Sequence, residues 1–224
     1  SAGHDIWGGA NAFDTKAEGS VAFAAPSRAR QEGGGFVGAL FEGRKPIIGA
    51  INGAAVGVGA TLTLPMDIRI CADTARFGFV FARRGLVPEA GSAWFLPQLV
   101  GLSQALKWCL TGRVFGADEA LAGGLVSEVV EPDRLLARAR EIALEIAENT
   151  APVSIALTRQ MLWRFAGAPD PFELLGIDRP MSIERGGHAD VKEGVQSFLE
   201  KRSPTFLGKV SQDMPSQYPW WKAG

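Results

Sequence analysis

The segment that most constrains the fold is an apolar run that leads straight into a glycine-rich turn and then into a second apolar run. The first run, 45–51, reads KPIIGAI, the turn reads NGAAVGVGATL, and the second run, 68–72, reads IRICA. Uninterrupted runs rich in β-branched residues are typical of strands buried on both faces of a parallel sheet. The turn is typical of a helix start, and we expect a helix over 60–64. The segment therefore predicts a strand–turn–helix–strand crossover.

Beyond this segment the pattern changes from strands to helices. Further extended pieces are expected at 75–80 and 125–130, where apolar residues cluster. Helical spacing with glycine stops predicts helices over 93–100, 103–110, 117–122, 133–147, 152–165 and 191–201. The tail, 211–224, contains prolines and is expected to be extended. This order predicts an α/β core over 1–130 and a helical region over 131–224.

Charge and cysteine content argue against several classes of function. With 23 basic and 24 acidic side chains the net charge is −1, so the chain lacks the basic excess of a nucleic-acid or membrane-surface binder. No apolar run reaches the ~18 residues of a membrane span. Cys71 and Cys109 form no CxxC pair, which argues against a zinc or redox centre. Their apolar neighbours, and an N-terminus without a signal-peptide pattern, predict a cytoplasmic protein.

Two glycine-rich turns are the candidates for chemistry. They read SAGHD at 1–5 and NGAAVGVGATL at 52–62. A helix that begins in such a turn offers unpaired backbone N–H groups that can hold an anion, although the turn can equally be a tight structural connection. Nucleotide motifs do not fit, because a dinucleotide fingerprint would need a small residue at Leu62 and a phosphate-binding loop would need Gly-Lys-Ser/Thr.

The sequence resembles the crotonase superfamily, which is the enoyl-CoA hydratase/isomerase family. The resemblance is carried by KPIIGAINGAAVGVG at 45–59, DIRICA at 67–72, RGLVPE at 84–89 and the SAGHD loop. It continues through LTGR at 110–113 and EGVQSFLEKR at 193–202. These motifs follow the family's order and spacing over nearly the whole chain.

The resemblance implies a fold and an assembly. The fold is α/β, a crotonase-like spiral of ββα units followed by a helical C-terminal trimerisation region. The family's N-terminal strands, which precede the first glycine-rich loop, are expected to be missing here. A homo-oligomer is implied, either a trimer or a dimer of trimers, with the tail tryptophans Trp220 and Trp221 resting on a neighbouring subunit.

An acyl-CoA thioester is the implied substrate, and no cofactor or metal is expected beyond the CoA moiety that the substrate carries. The backbone N–H groups of His4 and Val58 are implied to hold an enolate-like oxyanion on the thioester carbonyl. One such donor is worth roughly 2.7–4 kcal/mol in a measured oxyanion hole. The neighbouring positions implied to line the substrate are Ala2, Gly3, Asp5 and Gly57.

The residues available for proton transfer decide the reaction. Hydratases of the family use two glutamates, and the motifs place those positions at Thr61 and Phe81, neither of which transfers a proton near neutral pH. Together with Trp94, these two residues are expected to line the acyl pocket. The resemblance places Glu89 where some isomerases of the family carry a single catalytic Asp or Glu, and we expect it to act as the single acid/base of an enoyl-CoA isomerase.

Three alternatives stay open at this point. Glu89 can instead complement a helix N-terminus beside Pro88. The enzyme can be a hydratase, or another acyl-CoA lyase or hydrolase of the family. The chain can also be a non-catalytic acyl-CoA-binding scaffold, which would bind CoA thioesters without turnover.

Overall fold

The computed structural model describes residues 1, 12–13 and 35–222. The strands are β1 (Ile48–Ile51), β2 (Ala54–Val56), β3 (Ile68–Ala72), β4 (Arg76–Gly78), β5 (Val114–Gly116) and β6 (Glu128–Val130). The helices are α1 (Gly35–Glu42), α2 (Val58–Thr61), α3 (Ser92–Val100), α4 (Leu102–Thr111), α5 (Ala117–Ala122), α6 (Leu135–Asn149), α7 (Pro152–Phe165), α8 (Phe172–Gly186) and α9 (Ala189–Leu199). Short 3-10 helices lie at Ala82–Arg84, Pro132–Arg134 and Trp220–Lys222.

The chain divides into two compact units. One comprises Ser1–Glu42 and Ile47–Leu136, and the other comprises Gly43–Pro46 and Ala137–Gly224. The first unit contains the strands given above, and the second contains α7, α8 and α9. The two domains expected from the sequence, 1–130 and 131–224, stay a prediction.

The first sheet is parallel and has the order β1-β3-β6. Ala50 on β1 lies opposite Ile70 on β3, and Ile70 lies opposite Glu128 on β6. Ile70, Cys71 and Ala72 are fully buried, as expected for the central strand of a covered parallel sheet. The predicted strands at 45–51 and 68–72 are therefore confirmed, and so is the crossover between them.

The second sheet has the order β2-β4-β5, with β2 parallel and β5 antiparallel to β4. Its core is a stack of aromatic rings. The Trp108 and Phe115 ring centroids lie 4.3 Å apart, and those of Phe79 and Trp108 lie 6.2 Å apart. Phe77 also stacks on Phe115, at 5.9 Å. The predicted extended piece at 75–80 is confirmed, whereas β2 and β5 are each three residues long and too short to give a periodic signal.

Several predicted helices are confirmed closely, because glycine marks their ends. Helix α3 begins after Gly91 and ends at Gly101, and α4 ends at Gly112, which has a φ of 55°. The helix expected over 60–64 instead starts at Val58 and ends at Thr61.

Helix α8 is absent from the sequence-based prediction. Gly176 and Pro180 lie inside it, and both residue types normally weaken or end a helix. The Asp170 carboxylate accepts a hydrogen bond from the Phe172 N–H (3.0 Å) at its start, and Met181 and Arg185 are buried along its length. Tertiary packing therefore overrides the local signal here.

The tail packs on helices of its own chain and ends in a 3-10 helix at Trp220–Lys222, which corrects the expectation that it is extended. That Trp220 and Trp221 rest on a neighbouring subunit stays a prediction. Tyr218 and Trp220 pack against a cluster formed by Val153, Leu157 and Met181. The Arg164 guanidinium lies over the Trp221 ring at 3.3 Å from its centroid, a distance at which cation–π attraction operates. The tryptophans therefore have an intramolecular packing surface.

The described residues include no candidate membrane span and no candidate metal site. No helix among residues 1, 12–13 and 35–222 combines the length and the apolar character needed to cross a membrane. Over the same residues, no three His, Cys, Asp or Glu side chains are grouped as ligands for a metal ion.

Candidate active site

The start of α2 presents an open backbone donor. Gly57 precedes the helix with a φ of 57°, a conformation that favours glycine, and its N–H donates to the Gly78 carbonyl (2.9 Å). The Gly57 carbonyl accepts from the Thr61 N–H (3.1 Å), which closes the first helical turn. Among the described residues, no group accepts a hydrogen bond from the Val58 N–H. The first N–H groups of a helix generally lack an intrahelical acceptor and can bind a ligand, and Val58 holds the first position of α2.

Ser1 lies against the start of this helix. Its nitrogen donates to the Ala54 carbonyl (2.6 Å), and its carbonyl accepts from the Val56 N–H (3.1 Å), which is parallel strand pairing alongside β2. A Cβ atom on Gly59 would lie 2.2 Å from the Ser1 carbonyl oxygen, so only glycine permits this approach. Ser1 thus lies beside the start of α2.

The remaining residues of the SAGHD loop lie outside the described part of the chain. They include His4, the second expected oxyanion donor, and three expected substrate-lining residues, Ala2, Gly3 and Asp5. Their roles stay predictions.

Glu89 is held by a residue of α2. The Thr61 hydroxyl donates to Glu89 Oε1 at 2.5 Å. Thr61 is 0% exposed, whereas Glu89 is half-buried. Within the described residues, Oε2 of Glu89 has no hydrogen-bond partner. The structure therefore brings the single expected base together with the helix that begins at the expected oxyanion donor.

The backbone around Glu89 is also fixed. Ala90 has a φ of 53°, which is uncommon for a residue with a side chain, and Gly91 follows with a φ of 70°. The Glu89 carbonyl accepts from both the Ser92 N–H (2.9 Å) and the Ser92 hydroxyl (2.6 Å). Residues held in such conformations cluster at functional sites. Glu89 thus lies before α3 in a turn that hydrogen bonds from Ser92 stabilise. No pattern in the sequence indicates this supporting role of Ser92.

Phe81 and Trp94 occupy different environments. Phe81 is 7% exposed and belongs to the core, with its carbonyl accepting from the Arg84 and Leu86 N–H groups at 2.8 and 3.0 Å. Trp94 is 40% exposed and packs edge-on against Phe41, with the ring centroids 5.9 Å apart. Phe41 on α1 is a neighbour of this region that the sequence does not single out as a site residue. That Thr61, Phe81 and Trp94 line an acyl pocket stays a prediction.

A buried arginine holds the chain that follows α2. Arg69 donates from Nε to the Leu125 carbonyl (2.8 Å) and from Nη1 to the Met66 carbonyl. Burial lowers the pKa of Arg69 to about 10, and the nearby Asp67 carboxylate partly offsets this effect. The guanidinium is therefore still protonated near neutral pH, and it ties the segment after α2 to the segment before β6.

The cysteines do not offer a nucleophile. Burial raises the pKa of the Cys71 thiol to about 11, with Asp118 and Asp73 adding to the effect. Burial also raises the pKa of Cys109. Because the thiolate is the reactive form, neither side chain is poised for covalent catalysis near neutral pH.

Comparisons with known sequences agree on one family. A family model described as enoyl-CoA hydratase/isomerase matches residues 14–209. The chain is 45% identical over 178 residues to Enoyl-CoA hydratase ACTT3 of Alternaria alternata, covering 79% of this chain and 60% of that protein. It is 37% identical over 172 residues to 1,2-epoxyphenylacetyl-CoA isomerase of Escherichia coli strain K12, covering 74% of this chain and 62% of that protein. The chain thus spans about three fifths of each of these relatives.

Solved structures agree with the sequence comparison. A probable enoyl-CoA hydratase/isomerase from Mycobacterium abscessus superposes with a TM-score of 0.72 at 36% identity, covering 75% of this chain and 68% of that one. An enoyl-CoA hydratase/isomerase from Cupriavidus metallidurans CH34 gives a TM-score of 0.72 at 30% identity, covering 83% of this chain and 71% of that one. These likenesses confirm the α/β fold class expected from the sequence.

Proposed function

The chain belongs to the enoyl-CoA hydratase/isomerase family, and on that premise we propose that it acts on acyl-CoA thioesters as an enoyl-CoA isomerase with Glu89 as its single acid/base. The observation that carries this proposal is the hydrogen bond from Thr61 to Glu89 Oε1. It holds the carboxylate beside the helix that begins at Val58, so a base and an oxyanion donor are supported by one short element.

The residues at the other two positions support an isomerase over a hydratase. The resemblance places the two glutamates of the hydratases at Thr61 and Phe81. Thr61 is a hydroxyl already committed to Glu89, and Phe81 is an apolar core residue. Adding water across a double bond needs one group to activate the water and one to protonate carbon. A 1,3-proton shift needs only one group that takes a proton and returns it.

The proposed reaction moves one proton and one double bond. The thioester oxygen of a 3-enoyl-CoA accepts from the Val58 N–H and, by the resemblance, from the His4 N–H. The Glu89 carboxylate takes a proton from C2, and the C2–H electron pair delocalises onto the thioester oxygen as a dienolate. The dienolate then collapses, C4 takes the proton back from Glu89, and the double bond lies between C2 and C3. The oxyanion donors contribute roughly 2.7–4 kcal/mol each by analogy with a measured case.

Glu89→Gln tests this function. A panel of 3-enoyl-CoA substrates is offered to both proteins, and conjugation of the product is followed by absorbance. The amide keeps the shape of the side chain but cannot accept the proton, so we expect kcat to fall by about 10²–10⁴-fold. Glu148→Gln, at an exposed position of α6, is the matched control and keeps wild-type turnover. Equal turnover in Glu89→Gln and Glu148→Gln would remove Glu89 from the mechanism.

A hydratase is the second candidate, because Enoyl-CoA hydratase ACTT3 and two further relatives from Alternaria alternata carry that name. It would convert a 2-enoyl-CoA and water into a 3-hydroxyacyl-CoA, and the absorbance of the conjugated thioester would fall instead of rise. The same panel extended to 2-enoyl-CoA substrates separates the two reactions. Binding of CoA thioesters with no turnover of either class would favour a scaffold instead.

We also propose a homo-oligomer, a trimer or a dimer of trimers, as the resemblance implies. Apolar side chains exposed on α8 and α9 support an assembly, among them Ile183, Val195 and Phe198. A cytoplasmic location stays a prediction from cysteine usage.

A further inference from the structure

We propose that Thr61 is a positioning residue that assigns the transferred proton to Oε2 of Glu89. This proposal rests on the proposed isomerase function. It assigns different roles to the two oxygens of one carboxyl group. Three features of the structure support it: where the hydroxyl hydrogen of Thr61 goes, how Glu89 is fixed, and how deeply Thr61 is buried.

The Thr61 hydroxyl has one hydrogen and two acceptors within reach. Glu89 Oε1 lies 2.5 Å from Oγ1, and the Val58 carbonyl oxygen lies 3.2 Å from it. The Val58 carbonyl already accepts from the Leu62 N–H at 3.0 Å, so it is satisfied without Thr61. A hydrogen bond to a carboxylate is shorter and stronger than one to a neutral carbonyl. The hydroxyl hydrogen therefore points at Oε1.

This hydrogen bond makes the two carboxyl oxygens unequal. Oε1 faces a donor, and a proton placed on it would oppose the Thr61 hydrogen. Oε2 has no partner within the described part of the chain. The backbone of Glu89 is held by Ser92 at the same time, so the side chain is anchored at both ends. Oε2 is therefore the oxygen that takes the proton and gives it back.

Thr61 acts on the reaction through Glu89. Its side chain is 0% exposed, and its N–H closes the first turn of α2 onto the Gly57 carbonyl. The same four-residue helix starts with Val58, the expected oxyanion donor. One rigid element thus fixes the distance between the group that stabilises the dienolate and the oxygen that carries the proton.

The isomerisation then uses a single oxygen for both proton transfers. The C2–H bond breaks, its electron pair passes into the dienolate, and the proton binds to Oε2. The new C4–H bond forms with the π electrons of the dienolate as the Oε2–H bond breaks, which regenerates the carboxylate. Because one oxygen serves both carbons, the proton that leaves C2 is the proton that reaches C4.

The test compares substitutions at two threonines of the same segment. Thr61→Val removes the hydroxyl and keeps the shape, and we expect kcat to fall about tenfold or more, the loss of one hydrogen bond to a charged group. KM should stay within about twofold, because valine keeps the shape of the Thr61 side chain. Thr61→Ser restores the donor and should recover most of kcat. Thr63→Val is the control, since the Thr63 hydroxyl bonds only the Ala60 carbonyl (2.7 Å) within the described residues.

A label gives a second readout that a merely structural role would not move. With substrate deuterated at C2 in ordinary water, wild type and Thr63→Val should carry deuterium to C4, as measured by mass spectrometry. Thr61→Val should carry less, because a carboxyl group that Thr61 no longer holds can turn and exchange its deuteron with solvent before C4 receives it. If Thr61→Val does not fold, as judged by circular dichroism, Thr61→Ala gives the same comparison.

The outcomes separate this inference from the proposed function. Wild-type kcat in Glu89→Gln would overturn both. An inactive Glu89→Gln together with equal kcat in Thr61→Val and Thr63→Val would overturn only the inference. A Thr61→Ser protein as slow as Thr61→Val would also overturn it, because the hydroxyl would then not be the feature that matters.

Discussion

Two glycines that follow β1 differ in what surrounds them. Gly53 precedes β2, and Gly59 lies in α2. A Cβ on Gly53 would meet nothing within 4 Å, whereas a Cβ on Gly59 would meet the Ser1 carbonyl oxygen at 2.2 Å. Two glycines in one motif therefore have different reasons to be there. Gly59 permits the close approach of Ser1 to α2, whereas a side chain at position 53 would meet open space.

Alanine substitutions at these two glycines test the approach. Gly59→Ala should force Ser1 away from α2 and lower kcat/KM for an acyl-CoA substrate by at least about tenfold, as misplacement of a catalytic donor does. Gly53→Ala should leave turnover near the wild-type value, because its side chain points into open space. A wild-type kcat/KM in Gly59→Ala would show that the Ser1 loop does not contribute to the reaction.

At this scale the sequence suggests candidate site residues but not their contacts. Glu89 and Val58 are implied by the resemblance to the family, and their roles stay predictions. The partnership of Thr61 with Glu89 joins residues far apart in the chain (28 positions), and no local pattern encodes such a contact. Trp94 and Phe41 meet for the same reason, through packing of separate helices.

Helix α9 anchors the segment that follows it through acidic side chains. Glu193 binds Arg202 at 2.6 and 2.9 Å and accepts from the Thr205 N–H at 2.7 Å. Asp190 accepts from the Leu207 and Gly208 N–H groups at 3.0 and 3.1 Å. Acidic residues that look like ordinary surface charge in the sequence therefore hold the segment that follows α9 in place.

Acid should weaken this anchor in a defined direction. Hydrogen bonds from Arg202, with the Thr205 N–H adding to them, lower the pKa of Glu193 from 4.5 to about 2. A carboxyl group whose pKa is lower when folded stabilises the folded state above its unfolded value and loses that effect as pH falls through the folded value. Glu193→Gln should thus be less stable than wild type near neutral pH. The difference in the free energy of unfolding should shrink as the pH falls from 4.5 to about 2.

Urea unfolding across that pH range measures the effect. Because the pair lies at the surface, added salt should reduce the difference near neutral pH. Glu173→Gln, at an exposed position of α8, is the control and should follow wild type at each pH. A constant difference between Glu193→Gln and wild type at every pH would contradict the prediction.

Helices whose ends are marked by glycine or proline can be predicted from the sequence, and elements that are fixed by packing cannot. The sequence predicts α5 and α7 with the bounds that the structure has, because glycine or proline marks an end of each. It misses α8, whose interior Pro180 opposes a helix locally. The tail is misjudged because the rings of Tyr218 and Trp220 find apolar partners on α7 and α8, which sequence spacing does not show.

At the scale of the whole molecule, large apolar side chains remain open to solvent in the single chain. On the second compact unit they include Phe198 at 81%, Leu207 at 78% and Ile183 at 71% exposed. Burying exposed apolar side chains in an interface removes them from water, which is favourable. The exposed residues therefore agree with the homo-oligomer proposed above.

Sedimentation equilibrium tests the assembly directly. We expect a mass three or six times that of the 23.8 kDa chain. Phe198→Asp should shift the mass toward the single chain, because a charge buried in an interface is costly. The control is Lys192→Asp on the same helix, at an exposed polar position, which should leave the mass unchanged. A monomer in the wild type would contradict the proposal.

The hydrogen bond between Thr61 and Glu89 has an evolutionary consequence. Placing the glutamate of a hydratase at position 61 would replace a donor with a second carboxylate beside Glu89, and two such groups in contact cannot both stay ionised. Placing a glutamate at position 81 first would introduce a charge at a buried core position. If the proposed function holds, each single step towards hydratase chemistry is therefore unfavourable while Glu89 is present, and Thr61 should covary with Glu89 among relatives of this chain.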